Sequence, residues 1–206
     1  MAINKFVAVQ LGHPTELFAG LAGSIWNKRN AELNERVMDL LEPQAGDRVL
    51  DIGFGGGYLL GRMLTIVVDG TLAGVDVSPA MARRAEKRFQ KMPNGKRARF
   101  TCAAAEDLPF ADESFTKVCS VNSIFYWQDA EKGVREMRRV LASEGRAVLC
   151  FTCKSSIETQ RFARHLRLFD NEEVIQLVSN AGFKDIEPHV FSDPYRQFLC
   201  VRASRS

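Results

Sequence analysis

Residues 49–57 have the sequence Val-Leu-Asp-Ile-Gly-Phe-Gly-Gly-Gly, and this stretch decides the fold. Its first four residues form a short apolar run of the strand type that contains one acid, Asp51. The glycines that follow at alternate positions, Gly53, Gly55 and Gly57, allow the backbone to turn tightly and to approach a ligand without a Cβ in the way. The stretch therefore predicts a strand, a ligand-binding turn and the beginning of a helix.

Helical and strand-like patterns alternate on both sides of this stretch. The spacing of apolar residues predicts helices over residues 33–41, 59–64, 79–89, 130–141 and 174–181, and strands over residues 49–52, 72–77, 98–101, 118–121, 147–151, 186–191 and 198–201. This alternation is typical of an α/β protein with a doubly wound, mostly parallel sheet and helices on both faces. Ligands bind such sheets at the carboxyl ends of the strands, so we expect the active site there.

Length and charge restrict the class of protein. The 206 residues suit a single domain, 1–206, and the 28 basic and 25 acidic residues leave a net charge of +3, which attracts nucleic acid or anionic membranes only weakly. The odd number of cysteines favours free thiols and a cytoplasmic location, and alternation on a strand explains the spacing of Cys150 and Cys153. No apolar run is long enough for a signal peptide or a membrane span, so we expect a soluble protein.

Details of the glycine turn distinguish two classes of ligand. A glycine-rich turn also serves dinucleotides, but Tyr58, a bulky residue, occupies the position of the third dinucleotide glycine. Asp51 would repel a phosphate here and would attract a cationic amino acid or a sulfonium. Asp76 ends the second predicted strand, where a carboxylate can accept hydrogen bonds from both hydroxyls of an adenosine ribose. The alternative is a surface acid at a strand end.

These motifs together resemble those of the class I S-adenosylmethionine-dependent methyltransferases over roughly residues 30–190. Asp51-x-Gly53-x-Gly55-x-Gly57 is similar to the first motif of the family, and Asp76 to its ribose-binding acid. Three further stretches resemble the adenine loop, the end of the fourth strand and the approach to the fifth strand: residues 105–110, 121–122 and 136–146. The resemblance implies seven strands with an antiparallel C-terminal strand, S-adenosyl-L-methionine as cofactor and S-adenosyl-L-homocysteine as product.

The resemblance also implies how this chain binds adenine. Many relatives carry an acid that accepts a hydrogen bond from the adenine amino group, but here residues 103–105 are all alanine. Adenine is therefore expected to contact backbone groups near Ala105 and Glu106 and the apolar side chains of Val77 and Met81. Met81 is equally well explained as a core residue.

Two residues at the end of the fourth predicted strand are assigned by the same resemblance. The backbone near Val121 and Asn122 is expected to receive the methionine end of the cofactor. The Asn122 side chain is expected to reach towards the transferred methyl group, and the alternative is that it simply ends a strand.

Substrate binding is predicted from residues around these motifs. Methyl transfer from a sulfonium is an in-line displacement with a cofactor that is already activated, so we assign no catalytic base and no metal. We interpret His165 as a surface residue of a helix. Tyr126 and Trp127 follow the fourth strand and are predicted to form an apolar wall for the substrate, with core packing as the alternative. The amphipathic residues 1–29 are predicted to form a lid. The short chain favours a small organic acceptor.

Other functions stay open at this point. Basic residues recur at helical spacing, as in an RNA methyltransferase, at Arg83, Arg84, Lys87, Arg88, Lys91, Arg161, Arg164 and Arg167. A non-catalytic protein that senses S-adenosylmethionine would carry the same cofactor motifs, and NAD-dependent redox chemistry is a more distant alternative. We expect a small-molecule substrate rather than nucleic acid or a membrane as partner; the sequence identifies neither the acceptor nor the oligomeric state.

Overall fold

A seven-stranded sheet forms the centre of the computed structural model, which describes residues 30–206. Its strands are β1 (Arg48–Ile52), β2 (Thr71–Asp76), β3 (Ala98–Cys102), β4 (Phe115–Val121), β5 (Leu141–Thr152), β6 (Lys184–Ser192) and β7 (Gln197–Ser204). The α-helices are α1 (Ala31–Leu41), α2 (Tyr58–Met63), α3 (Pro79–Phe89), α4 (Ala130–Val140), α5 (Lys154–Ile157) and α6 (Asn171–Asn180). Short 3-10 helices lie at Gly95–Arg97, Ile124–Tyr126 and Ala163–His165.

The strand order β3-β2-β1-β4-β5-β7-β6 confirms the predicted doubly wound fold. Strands β1 to β5 are parallel, and β7 runs antiparallel to both β5 and β6. Asp51 pairs with Gly74 of β2 and with Cys119 of β4, so β1 lies between the two strands where the order reverses. Ligands bind at such a reversal, beyond the carboxyl ends of the strands.

Apolar residues on β1 alternate between two cores, because successive side chains of a strand point to opposite faces of the sheet. Leu50 and Ile52 belong to one core, which α4 and α6 cover with residues such as Val134 and Val174. Val49 belongs to the other core, which is covered by α1, α2 and α3. The short apolar run that the sequence shows is therefore a strand buried on both faces.

Capping side chains determine where several helices begin. The Ser78 hydroxyl accepts a hydrogen bond from the Met81 amide, with Pro79 in the first turn of α3. Asp129 accepts from the Lys132 amide at the start of α4, and Asp170 forms a capping box with Glu173 at the start of α6. These caps therefore define the first residues of α3, α4 and α6.

The structure differs from the sequence prediction in two segments. β5 begins at Leu141, directly after α4, and not at 147, because Leu141 pairs with Phe115 before the register shifts to Lys117 and Arg146. The intervening residues 142–145 carry no large apolar side chain and include Glu144 at φ 59°, so no apolar pattern indicates the strand. The predicted basic stripe of Arg161, Arg164 and Arg167 does not form a helical face, because the segment contains only the short 3-10 helix Ala163–His165. His165 is exposed in this helix, which agrees with its prediction as a surface residue.

The remaining sequence predictions concern thiols, membranes and the N-terminus. All five cysteines are free thiols, and all except Cys102 are buried. In residues 30–206, none of the helices has the length and apolar character needed to cross a membrane. The predicted lid, residues 1–29, lies outside the described residues.

Candidate active site

A cavity of about 620 Å³ opens at the carboxyl ends of β1, β2, β4 and β5. It brings together every predicted site residue except Gly57: Asp51, Gly53, Gly55, Asp76, Val77, Met81, Ala105, Glu106, Val121, Asn122, Tyr126 and Trp127. Its walls also include residues that the sequence analysis did not identify, among them Asn30, Asn34, Ile157, Phe162, Leu166 and Arg196. These lie far from the glycine motif in the chain, and no local pattern marks them.

The glycine turn has the backbone conformation for which only glycine is well suited. Gly53, Gly55 and Gly57 have φ angles of 76°, 52° and 69°. A Cβ on Gly53 would collide with the Ser123 side chain, whereas a Cβ on Gly57 would lie 3.1 Å from the Phe89 ring. Gly57 caps α2 and faces the core. Glycine is therefore required here by the backbone turn and by packing against Phe89, and Gly57 does not line the cavity.

Asp76 connects the glycine turn to the end of β2. Its Oδ2 accepts a hydrogen bond from the Gly55 amide (3.1 Å) and its Oδ1 accepts one from the Ser78 amide (2.9 Å). The side chain is only 9% exposed and lines the cavity, which contradicts the alternative of a surface acid. Each carboxylate oxygen has two acceptor positions, so the same group can also accept hydrogen bonds from a ligand.

Asp51 is a buried carboxylate at the floor of the cavity. It is 3% exposed, and no hydrogen bond or ion pair within residues 30–206 reaches its side chain. Burial raises the pKa of Asp51 from its ordinary value of 3.8 to about 7, and the negative charge of Asp76 adds to this effect. A cationic group bound beside Asp51 would stabilise its charged form and lower this pKa.

Asn122 joins the ends of β4 and β5 to the beginning of α1. Its Oδ1 accepts a hydrogen bond from the Thr152 amide (2.8 Å), and its Nδ2 donates one to Asn30 Oδ1 (3.0 Å). Arg196 donates to the same Asn30 oxygen (3.2 Å) and to Thr152 Oγ1 (3.3 Å). Asn122 also has φ 54°, which asparagine tolerates better than most residues. Its carboxamide thus holds the cavity wall together, a role that its position in the sequence did not indicate.

The wall beyond β2 and β3 is mostly apolar. Val77 is 40% exposed although it is apolar, and Met81 is a buried core residue that also lines the cavity. Ala105 is buried there too. The Glu106 Oε1 accepts a hydrogen bond from the Asp129 amide (3.0 Å), which anchors the residue before α4. Asp107, its neighbour, is exposed to solvent.

The opposite end of the cavity is aromatic and aliphatic. Phe125, Tyr126 and Trp127 contribute from the turn after β4. The Trp127 indole donates to Ser123 Oγ (3.1 Å), and that hydroxyl donates to the Ile52 carbonyl (3.1 Å), so Trp127 anchors the turn to β1 as well as touching the cavity. His165 is exposed and does not line the cavity, although its neighbours Phe162 and Leu166 do.

Comparison with known proteins places this site in a family. The family described as "Methyltransferase domain" matches residues 50–149, which include the glycine turn, Asp76 and the carboxyl end of β4. The uncharacterized methyltransferase YdaC of Bacillus subtilis is 32% identical over 171 residues, which cover 81% of this chain and 88% of YdaC. The chain belongs to the class I S-adenosylmethionine-dependent methyltransferases.

Other relatives of this methyltransferase are longer. The 2-methyl-6-phytyl-1,4-hydroquinone methyltransferase of Arabidopsis thaliana is 33% identical over 151 residues, which cover 72% of this chain but only 43% of the plant enzyme. The chain therefore spans less than half the length of that relative, whereas it spans most of YdaC.

Solved structures share the fold of this methyltransferase. A methyltransferase in complex with the Haloferax volcanii Trm112 methyltransferase activator superposes with a TM-score of 0.80 at 18% identity, over 93% of this chain and 97% of that one. Geranyl diphosphate C-methyltransferase from Streptomyces coelicolor, solved with S-adenosyl-L-homocysteine, has a TM-score of 0.71 at 19% identity, over 85% and 79% of the two chains. Family and fold together identify S-adenosylmethionine as the cofactor.

Proposed function

We propose that this methyltransferase transfers the methyl group of S-adenosylmethionine to a small, largely apolar organic acceptor. One observation carries the proposal: a single cavity runs from two buried carboxylates beside a glycine turn to an aromatic and aliphatic wall. The carboxylates suit the cationic cofactor, and the apolar wall suits an organic molecule placed next to it.

The residues of the acidic half fit the cofactor in one orientation. Asp76, which has acceptor positions facing the cavity, would bind the ribose hydroxyls. The apolar side chains of Val77 and Met81 would contact the adenine, with the backbone near Ala105 and Glu106 at its edge. Val77 is apolar and 40% exposed, and such a ligand would cover it.

The other end of the cofactor would lie against β1 and β4. Asp51 has no cationic partner within the described part of the chain, and the ammonium group of the methionine moiety would provide one. The backbone at Val121 and Asn122 borders the same part of the cavity, where the hydrogen bonds of Asn122 to Asn30 and Thr152 hold the wall in place. Gly53 also lines this part of the cavity, and its missing Cβ accommodates the Ser123 side chain.

When bound, S-adenosylmethionine supplies a methyl group that is already activated by its sulfonium. The contribution of this chain is therefore to align the acceptor with that methyl group and to exclude water. Phe125, Tyr126 and Ile157 form the apolar surface that would do this, with Phe162 and Leu166 beyond them. Residues 1–29 are proposed to close over this end of the cavity.

Two of the proteins compared above act on acceptors of this chemical class according to their names. One methylates a phytyl hydroquinone and one methylates geranyl diphosphate. Both molecules combine an apolar body with oxygen-bearing groups, which supports a small organic acceptor for this chain.

The proposal is tested by methyl transfer into a metabolite extract. Purified protein is incubated with S-adenosylmethionine labelled in its methyl group, and small molecules and RNA are then analysed separately for label and for a mass gain of one methyl group. Label in a small molecule is the expected result. Label in RNA would contradict the proposed acceptor class, and tight cofactor binding without any transfer would indicate a sensor instead.

A further inference from the structure

Tyr126 occupies a rigid position at the apolar end of the cavity. It ends the 3-10 helix Ile124–Tyr126, in which its amide donates to the Ser123 carbonyl (2.9 Å). The Ser123 hydroxyl forms hydrogen bonds with the Ser120 hydroxyl and the Ile52 carbonyl, and it accepts a hydrogen bond from the Trp127 indole. These hydrogen bonds attach the turn to β1 and β4. The backbone at Tyr126 is therefore held at a defined place, and its partly buried ring packs against the core beside the cavity.

The hydroxyl of Tyr126 has no hydrogen-bond partner among the residues that the structure describes. It is not sealed inside the protein, since the buried polar side-chain atoms without a partner do not include it. Tyr126 lines the cavity, so the cavity is where its hydroxyl meets solvent or a ligand. Partly buried hydroxyl groups in folded proteins are normally hydrogen-bonded, and here the available position for a partner is the cavity itself.

The surroundings of this hydroxyl are apolar. The Tyr126 ring packs against the core cluster that also includes Phe125, and the side chains of Ile157 and Leu166 pack against the same cluster. Burial raises the pKa of Tyr126 well above its usual range, so the group stays protonated and can donate a hydrogen bond. A donor placed among apolar side chains recognises the orientation of a ligand that carries an acceptor atom.

We propose that the Tyr126 hydroxyl donates a hydrogen bond to an oxygen atom of the methyl acceptor, which is an otherwise largely apolar molecule. This inference rests on the proposed function, because it places the acceptor at the aromatic end of the same cavity. Tyr126 binds and orients the acceptor; the hydroxyl does not remove its proton. An oxygen held at this point fixes the direction of the acceptor relative to the cofactor half of the cavity.

A pair of fluorinated probes tests this inference on protein saturated with S-adenosyl-L-homocysteine. 4-Fluorophenol carries a hydroxyl group where 4-fluorotoluene carries a methyl group, and the two molecules are otherwise identical. The binding of each probe is followed by fluorine NMR. The wild-type protein is expected to bind 4-fluorophenol about three- to tenfold more tightly than 4-fluorotoluene, the range for one neutral hydrogen bond. Tyr126→Phe, which keeps the ring and removes only the hydroxyl, is expected to abolish that preference.

Tyr195→Phe is the matched control, because Tyr195 also lines the cavity but is 89% exposed. This variant is expected to retain the preference for 4-fluorophenol. An unchanged preference in Tyr126→Phe, or the failure of both probes to bind the loaded wild-type protein, would overturn the inference. Failure of S-adenosyl-L-homocysteine to bind the wild-type protein would instead overturn the proposed function, so the two failures are distinguishable.

Discussion

The two halves of the cavity are built in different ways. Most of the cofactor half comes from residues 51–81, in which two buried acids and a glycine turn lie close together in sequence; the ends of β3 and β4 add the backbone near Glu106 and Asn122. The acceptor half combines the turn after β4, the segment after β5 and the turn before β7. The first half keeps a buried carboxylate without a cationic partner in the described chain. The second half is mostly aromatic and aliphatic, with polar groups added by Ser156, Gln160 and Arg196. Substitutions in the two halves should therefore affect different measurements.

The largest expected effect is on cofactor binding, at Asp76. Asp76→Ala should weaken the binding of S-adenosyl-L-homocysteine by on the order of 2–4 kcal/mol, which is roughly a thirty- to thousandfold loss of affinity. The substitution removes both the proposed ribose contacts and the acceptor for the Gly55 amide. Titration calorimetry measures the change. Asp107→Ala is the control, since Asp107 is an exposed acid. This variant should bind S-adenosyl-L-homocysteine with wild-type affinity. Affinity within threefold of wild type in Asp76→Ala would show that the ribose lies elsewhere.

Asp51 is expected to make the stability of the cofactor-free protein depend on pH. Its pKa of about 7 in the folded protein exceeds the ordinary value of 3.8, so the folded state holds this proton more tightly than the unfolded state does. Ionisation of Asp51 therefore destabilises the cofactor-free protein increasingly as pH rises, until the carboxylate is fully charged above pH 7. Asp51→Asn should remove this loss, and its stability relative to wild type should rise by on the order of 2 kcal/mol between pH 5 and pH 8.

Urea unfolding of the cofactor-free protein at the two pH values measures this difference. Asp107→Asn, an exposed acid changed in the same way, should show no comparable pH-dependent gain. A relative stability of Asp51→Asn that stays constant between pH 5 and pH 8 would mean that the Asp51 pKa is not raised in the folded protein.

The glycines of the turn separate ligand contact from packing. Gly57→Ala should lower stability by about 1–2 kcal/mol, because the new side chain adopts a positive φ and approaches Phe89, while affinity for S-adenosyl-L-homocysteine changes less than threefold. Gly53→Ala should reduce both quantities, because its Cβ would collide with Ser123 at the cavity. Denaturant unfolding and calorimetry on the two variants decide this. An affinity loss at Gly57 as large as at Gly53 would place Gly57 in direct contact with the ligand.

The smallest expected effect lies in the acceptor half, at Trp127. Trp127→Phe should cost about 1 kcal/mol of stability through the lost indole hydrogen bond to Ser123, and cofactor affinity should stay unchanged. Thermal unfolding in the presence and absence of S-adenosyl-L-homocysteine measures both. A clear drop in cofactor affinity would show that the turn after β4 also determines the position of the cofactor, and the division into two halves would then be wrong.

Most of the cofactor half could be predicted from the sequence because its evidence is local. Asp51 and Asp76 each end a strand of recognisable pattern, and the glycines are conspicuous in the same stretch. Gly57 was predicted to bind the cofactor together with the other glycines, because a glycine required by a positive φ and by the nearby Phe89 ring cannot be distinguished in the sequence from one that contacts a ligand.

The acceptor half could be predicted only in part. Tyr126 and Trp127 were identified because they follow a strand end, but Ile157, Phe162 and Leu166 were not. Their segment has no regular period that would mark a site. The same irregularity explains why a helical basic stripe was wrongly predicted over residues 161–167.

The sequence by itself determined the alternation of strands and helices, the class I fold and the acids at two strand ends, because each of these depends on residues close together in the chain. Only the tertiary structure decided that Asn30, Asn122, Thr152 and Arg196 join into one hydrogen-bonded wall, and that Asp51 is buried without a cationic partner in the described chain. Those properties arise from residues up to 166 positions apart that meet where parallel strands end at one edge of the sheet. Burial and its effect on pKa are properties of the packed surroundings, which no single stretch of sequence contains.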